Sequence, residues 1–356
     1  MTSNSKDETV SKVEMPGHDC ADPSLHDPSA AGRAPVAAQI GVLGGLSAPG
    51  RLDPQEAARI TRRITSYSVA VGVILSVMKF FIWEQSGSVG VLSSLVHSGL
   101  DLAAALATFF GVRYAARAPD ATHSYGRGKA EGFVAVLQAC LVLFSAGHIG
   151  EEAVHRIMDP QIVEHGLSVI VVMGFAIAMT FWLLMAQGHA IAATGSVAIA
   201  GDRAHYLSDM AASIAVVIGV ALAAFTPFAR ADGIIALLIA LWLVYTAFKV
   251  GRLAFNQLMD QELPPSERHF ISELAGQDSR ITQIKDLRTR ASGPHVHIQM
   301  HAELSSDLSL LDAHDIICAA EARILAAFPA ADVTIHPDPA GHDHGNSRFR
   351  RHEDTT

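Results

Sequence analysis

Two short stretches hold the side chains best suited to chemistry. Val96 to Leu102 reads Val-His-Ser-Gly-Leu-Asp-Leu and Ala204 to Met210 reads Ala-His-Tyr-Leu-Ser-Asp-Met, so His97 with Asp101, and His205 with Asp209, stand four residues apart. On a helix, residues at this spacing lie one above the other on a single face. Each stretch therefore presents an imidazole beside a carboxylate. Two such pairs brought together offer two nitrogens and two oxygens, the donor set of a tetrahedral zinc site with bonds of about 2.0–2.2 Å. The carboxylates balance the charge of a divalent ion, and the ion offsets the cost of burying them. A single His-x-x-x-Asp is ordinarily a local hydrogen bond or a coincidence; the same pair in two separate apolar segments points to a metal. Ser98, Gly99, Gly201, Ala204 and Ser208 are small enough to let two helix backbones approach closely.

The elements that must position these residues are membrane helices. Half of the 356 residues are apolar and 17% are charged, against roughly a quarter charged in an ordinary soluble domain. Apolar runs of about 20 residues, enough to cross a ~30 Å hydrocarbon layer, are expected near 65–85, 90–114, 131–154, 167–190, 196–226 and 233–254. Six crossings leave both ends on one side. Arg59, Arg62, Arg63, Arg113, Arg117, Arg127, Lys129, Lys249 and Arg252 all fall on that side, which the positive-inside rule makes cytoplasmic. Ionisable pairs inside the second and fifth spans are costly against lipid and must face one another or water. Asp202 and Arg203 are expected to reach the cytoplasmic interface or pair with other groups, and Lys79, His148 and His189 to reach headgroups.

The rest of the chain divides simply. Residues 1–58 are polar and without periodicity, expected to be a disordered tail, and lack the pattern of a signal peptide. Residues 59–256 form the membrane domain. Residues 257–339 read as α-β-β-α-β, with a helix beginning at Pro264-Pro265-Ser266-Glu267, strands over 283–289 and 296–304, a helix over 310–328 and a strand over 332–336. This predicts one sheet covered by two helices. Residues 340–356 are expected to be disordered. Strand alternation places His295, His297, Gln299 and His301 on one face, with His295 and His297 expected to be solvated. Cys20, Cys140 and Cys318 are far apart with no CxxC pair, which indicates neither a disulfide framework nor a thiolate zinc site. The net charge of −9 comes with no basic patch for nucleic acid, and no organic cofactor is indicated.

The chain resembles the cation diffusion facilitator family, close to its bacterial zinc and iron efflux transporters. The resemblance spans about residues 60–339. It rests on the His-x-x-x-Asp of the second span, the segment from Asp202 to Asp209, His-Ser-Tyr-Gly-Arg-Gly-Lys-Ala-Glu at 123–131, Leu-Met-Asp at 258–260, Asp-Leu-Arg-Thr-Arg at 286–290 and Ile-His-Pro-Asp-Pro at 335–339. It implies a homodimer of six-span protomers in the bacterial inner membrane, with a ferredoxin-like (metallochaperone-like) α+β cytoplasmic domain, exporting a divalent cation in exchange for protons. Zn2+ is the expected ion; Fe2+, Cd2+, Co2+ or Ni2+ export, or a membrane-anchored sensor, is the alternative. An enzyme is not expected, since no HExxH or comparable triad accompanies the ligands.

Residue by residue, the resemblance makes His97, Asp101, His205 and Asp209 the transport site. It implies a loop site at Asp120 and His123, where Arg127 stands in place of a further histidine and would repel a cation. It implies a cytoplasmic site at His301, His314, His336 and Asp338, where Lys285 replaces a histidine and would have to lose its proton to ligate. Lys129 and Asp260 match an ion pair that joins the membrane and soluble parts.

Overall fold

The computed structural model describes residues 49–86, 89–158, 167–225 and 231–341. Eight helices and three strands follow one another among these: α1 (Pro54–Ser86), α2 (Val89–Ala115), α3 (Ala130–Met158), α4 (Leu167–Thr194), α5 (Val197–Phe225), α6 (Ala231–Leu258), α7 (Pro265–Ala275), β1 (Ile281–Ser292), β2 (His295–Leu304), α8 (Leu310–Ala327) and β3 (Ala331–Pro339). Five of the long helices, α1, α2, α3, α4 and α6, contain segments long and apolar enough to cross a membrane. The remaining one, α5, has 29 residues but carries Asp202, Arg203 and Asp209.

Small residues set how closely the long helices pack. A Cβ added at Gly201 of α5 would stand 3.0 Å from Cβ of Gln138 and 3.2 Å from Cα of Ala135 on α3. Ala139, Val142 and Ala146 of α3 pack with Leu243, Ala247 and Val250 of α6 and with Ala204 of α5. These contacts fix α5 against α3 and α6, so its opposite side faces α1, α2 and α4.

The first helix begins earlier than the sequence suggests. The lack of periodicity assigns residues 54–58 to the N-terminal tail, yet α1 starts at Pro54. Asp53 caps it, its Oδ1 accepting from the amides of Gln55 at 2.8 Å and Glu56 at 3.3 Å, and Pro54 supplies a preset φ where no amide donor is needed. The preceding residues are fastened to the soluble domain. Gly50 accepts a hydrogen bond from the amide of Ala330 at 3.2 Å. The Arg51 guanidinium lies 4.0 Å from the centre of the Phe328 ring and pairs with Glu267 at 2.5 Å. The expected tail residues 1–48 and 342–356 lie outside the described residues.

The soluble part is a three-stranded sheet in the order β1-β2-β3, with β1 and β2 antiparallel and β2 and β3 parallel. A full ferredoxin-like layer runs β-α-β-β-α-β. Among the described residues its first strand is lacking, because the chain passes from α6 through Pro264 and Pro265 directly into a helix. The last strand therefore closes on β2 itself, which makes that pairing parallel. Ile271 of α7, Ile316, Ile317 and Ile324 of α8, and Val296, Ile298 and Met300 of β2 belong to the buried core.

Two glycines let the domains meet. A Cβ on Gly128, just ahead of α3, would collide with the carbonyl oxygen of Ser292, and Gly293 takes φ +59° in the β1–β2 turn. Beside this contact, Lys129 Nζ lies 3.0 Å from the carboxylate of Asp260, which also faces Arg290 Nη1 at 3.4 Å.

Candidate metal sites

On α2 and α5 the four candidate ligands converge. His205 Nε2 lies 3.2 Å from Asp101 Oδ1 and 3.8 Å from Asp209 Oδ2; His97 Nε2 lies 3.8 Å from Asp101 Oδ1 and 3.8 Å from Asp209 Oδ1. Each imidazole thus faces both carboxylates. Ligand atoms of His97, Asp101 and Asp209 all lie within 4.8 Å of one another, a spacing from which a small inward movement reaches the ~2 Å bonds of a tetrahedral ion.

Burial grades the quartet. The His205 side chain is 5% exposed and that of Asp101 14%, while His97 is 52% exposed at the mouth. A cavity of about 230 Å³ opens onto His97, Asp101 and Asp209 and is lined from α1 by Gly72 and Lys79. Lys79 does not reach outward to headgroups as its long side chain suggests: its Nζ donates to Ser98 Oγ at 2.6 Å. A membrane-embedded ammonium gains more from a hydroxyl and two nearby carboxylates than from lipid. The spacing carries a signal of this, since Gly72, Ser76 and Lys79 mark one small or polar face of α1.

Asp202, one turn before His205, takes the second of its two expected placements and pairs with other groups. It is 1% exposed, and its Oδ2 accepts from Ser68 Oγ at 2.6 Å and Gln187 Nε2 at 2.8 Å. Arg203 turns to α4, its Nε donating to the Leu184 carbonyl at 3.3 Å.

The loop site is filled by its own arginine. Arg127 Nη2 donates to Asp120 Oδ2 and lies 3.1 Å from His123 Nδ1, while Asp120 Oδ1 stands 3.5 Å from His123 Nδ1. The Arg127 guanidinium, helped by Thr122, holds the Asp120 carboxyl well below the usual carboxylate range. The positions expected to bind a cation are therefore occupied by a charge-assisted pair.

In the soluble domain the parallel register sets His301 opposite His336, and Asp338 follows two residues on, facing the same way. His301 Nδ1 is 2.9 Å from Asp338 Oδ2, and His336 Nε2 is 3.4 Å from Asp338 Oδ1. Ligand atoms of these three lie within 4.8 Å of one another. His314 stands apart within the protomer, on α8 with its Nε2 3.5 Å from Cys318 Sγ. Lys285, the cross-strand partner of His301, pairs with Glu303 and holds that carboxyl below its ordinary range. His297 is not solvated. It is 7% exposed, with Nδ1 3.1 Å from Asp332 and its ring 5.4 Å from that of Tyr125 in the loop after α2. The strand's polar face is covered there by the membrane domain, which strand alternation alone does not reveal.

The model of the cation efflux transmembrane domain matches residues 66–259, and that of the cation efflux protein cytoplasmic domain matches residues 263–340. The cation-efflux pump FieF of Shewanella oneidensis is 38% identical over 76% of this chain and 92% of its own length. FieF of Cronobacter sakazakii is 35% identical over 79% of this chain and 93% of its own. A solved structure of CzrB in its zinc form, 31% identical, is matched over 24% of this chain and 98% of its own, with a TM-score of 0.23. With a membrane-domain match covering more than half its length, and relatives matched along nearly their whole length, the chain belongs to the cation diffusion facilitator family of multi-pass cation efflux transporters.

Proposed function

We propose that this protein exports a divalent transition-metal cation from the cytoplasm in exchange for protons, with Zn2+ as its principal cargo, through His97, Asp101, His205 and Asp209. The observation that carries this reading is the convergence of two imidazoles and two carboxylates, each His Nε2 within 3.8 Å of both Asp side chains. Two nitrogens favour zinc over magnesium or manganese, and two carboxylates cancel its charge.

The exchange follows from the ligands. Zinc takes neutral imidazole and ionised carboxylate, so binding releases protons and protonation weakens binding. Open to the cytoplasm, the site loads; open to the other side, it takes up protons and discharges the ion. No covalent step is involved. Lys129 and Asp260 serve as a joint on which the membrane helices move relative to the soluble domain, and Arg290 steadies that joint. His301, His336 and Asp338 form a cytoplasmic metal site, which reports cytoplasmic metal to the transport domain.

The working unit in this reading is a homodimer of six-span protomers in the inner membrane, with α5 as the span that carries the site and both ends cytoplasmic. The domains are residues 59–256 and 257–339, extended at the front by the helical turn from Pro54. The metal is tested by growth of a strain lacking its own exporters, expressing this protein, across Zn, Fe, Co, Ni, Cd and Mn. Restored tolerance to zinc first among these is expected; tolerance to manganese alone would overturn the zinc assignment.

A further inference from the structure

The Asp202 carboxyl belongs to a buried network that the four ligands leave unused. Ser68 of α1, Thr108 of α2, Gln138 of α3, Gln187 of α4 and Asp202 of α5 are each 0–1% exposed. Ser68 Oγ and Gln187 Nε2 both donate to Asp202 Oδ2, and Gln187 Nε2 also lies 3.2 Å from Ser68 Oγ. Gln138 Nε2 donates to Thr108 Oγ1 at 2.8 Å, and Thr108 lies against Asp202. Five helices thus contribute to one polar cluster inside an apolar bundle.

The cluster is short of hydrogen. Asp202 Oδ1, Gln138 Oε1 and Gln187 Oε1 are buried acceptors with no donor. Buried acceptors ordinarily find partners, because desolvating one without a hydrogen bond is costly. With Ser68 and Gln187 both donating to Oδ2 and Oδ1 left without a hydrogen-bond partner, the carboxyl is arranged to take a hydrogen on Oδ1.

We propose that Asp202 is a proton-binding site, distinct from the metal ligands, that carries one of the protons exchanged for the metal. The proposal rests on the antiport reading above and says where one exchanged proton resides. Asp202 lies three residues, about 4.5 Å of helix rise, before His205, and its hydrogen bonds go to α1 and α4. A divalent ion in the quartet places two positive charges about one turn away and repels a proton on Asp202; an empty quartet, with its two carboxylates, attracts one. Such coupling is reciprocal, so the proton equally weakens the metal.

The other groups facing Asp202 do not duplicate this role. From α1, α2, α3 and α4 they are the neutral Ser68, Thr108, Gln138 and Gln187. On α5, His205 is committed to the quartet, Arg203 turns to the Leu184 carbonyl, and Tyr206 donates to the Ser68 carbonyl at 2.7 Å. Toward the cytoplasm, Ser196 at the start of α5 donates to the buried Glu131 at 2.5 Å beside a small cavity that reaches Thr61 and Thr194, which places a further polar step between Asp202 and that end of the bundle.

The test uses the full-length protein in proteoliposomes, with zinc flux and internal pH read together, and zinc binding in detergent as a check on folding. Asp202→Asn is expected to bind zinc and pass it down its own gradient, but to move about one proton fewer per zinc and to lose acceleration by an opposing pH gradient; Asp202→Glu restores both. A wild-type pH response in Asp202→Asn would overturn the assignment of Asp202. A wild-type protein indifferent to the pH gradient would overturn the antiport reading itself. If Asp202→Asn does not bind zinc, Ser68→Ala carries the test: it removes one donor from the ionised carboxylate and should raise the midpoint of the pH response by about one unit, whereas an unmoved midpoint would overturn the assignment.

Discussion

Replacing the four proposed ligands one at a time should weaken zinc in the order of their burial. Asp101→Asn keeps the shape and one carbonyl oxygen of the side chain and removes its charge, so a divalent ion meets one carboxylate where it had two. The Asp101 side chain is 14% exposed and faces both histidines, at 3.2 and 3.8 Å. Removing one partner from a buried charged set costs about 3–5 kcal/mol, or about 10²–10⁴-fold in Kd. Asp209, 23% exposed, should lose somewhat less. Between the imidazoles, His205→Ala should cost more than His97→Ala, since the side chains are 5% and 52% exposed and water can replace a ligand at the mouth. Competition against a chromogenic chelator, in a His301→Ala, His336→Ala background that silences the soluble domain, measures the quartet alone. Equal affinity for wild type and Asp101→Asn, or a larger loss at His97 than at His205, would refute the reasoning.

Other substitutions probe the surroundings. Arg127→His should free Asp120 and supply a second imidazole beside His123, adding a zinc equivalent by calorimetry; an unchanged stoichiometry would show that the arginine is not what blocks that loop. Lys79→Gln removes the ammonium from the quartet's cavity and should tighten zinc by well over tenfold, since at an effective dielectric near 20 a unit charge within ~10 Å of a divalent ion repels it by about 3 kcal/mol; weaker binding would mean that Lys79 supports the site rather than opposing the ion. In the soluble domain, Arg280 holds the Asp278 carboxyl down at about 2. A folded value below the unfolded one stabilises above pH ~4, and that stability is lost as pH falls from about 4 toward 2. Because the Arg280 side chain is 58% exposed, solvent screens the contribution to a small one, so Arg280→Ala should lower the melting temperature slightly at pH 7 and hardly at all at pH 2.

Much of this is legible because helical spacing is regular. Residues four apart must share a face, so the pairing of His97 with Asp101 and of His205 with Asp209 follows from the sequence alone, as does the α-β-β-α-β order from periodicity and turn residues. Lys79 lies deeper than the sequence suggests, because weighing its charge singly against the nearest interface ignores its neighbours, whereas Asp202 takes the paired one of its two expected placements. The α1 stripe Thr61, Thr65, Ser68, Gly72, Ser76 and Lys79, spaced by threes and fours, marks a polar face that draws both inward. The burial of His297 under Tyr125 and the docking of Arg51 between aromatic rings depend on contacts between segments distant in sequence. No local pattern encodes them, so residues 49–53 read as the end of a tail.

Zinc flux into proteoliposomes against an imposed pH gradient, compared between the wild type and Asp209→Ala, bears most directly on transport through the quartet. Wild-type protein should move zinc at a rate that rises with the gradient, and Asp209→Ala should show neither zinc flux nor zinc-dependent proton flux while remaining folded. Normal proton-driven zinc flux through Asp209→Ala would contradict it.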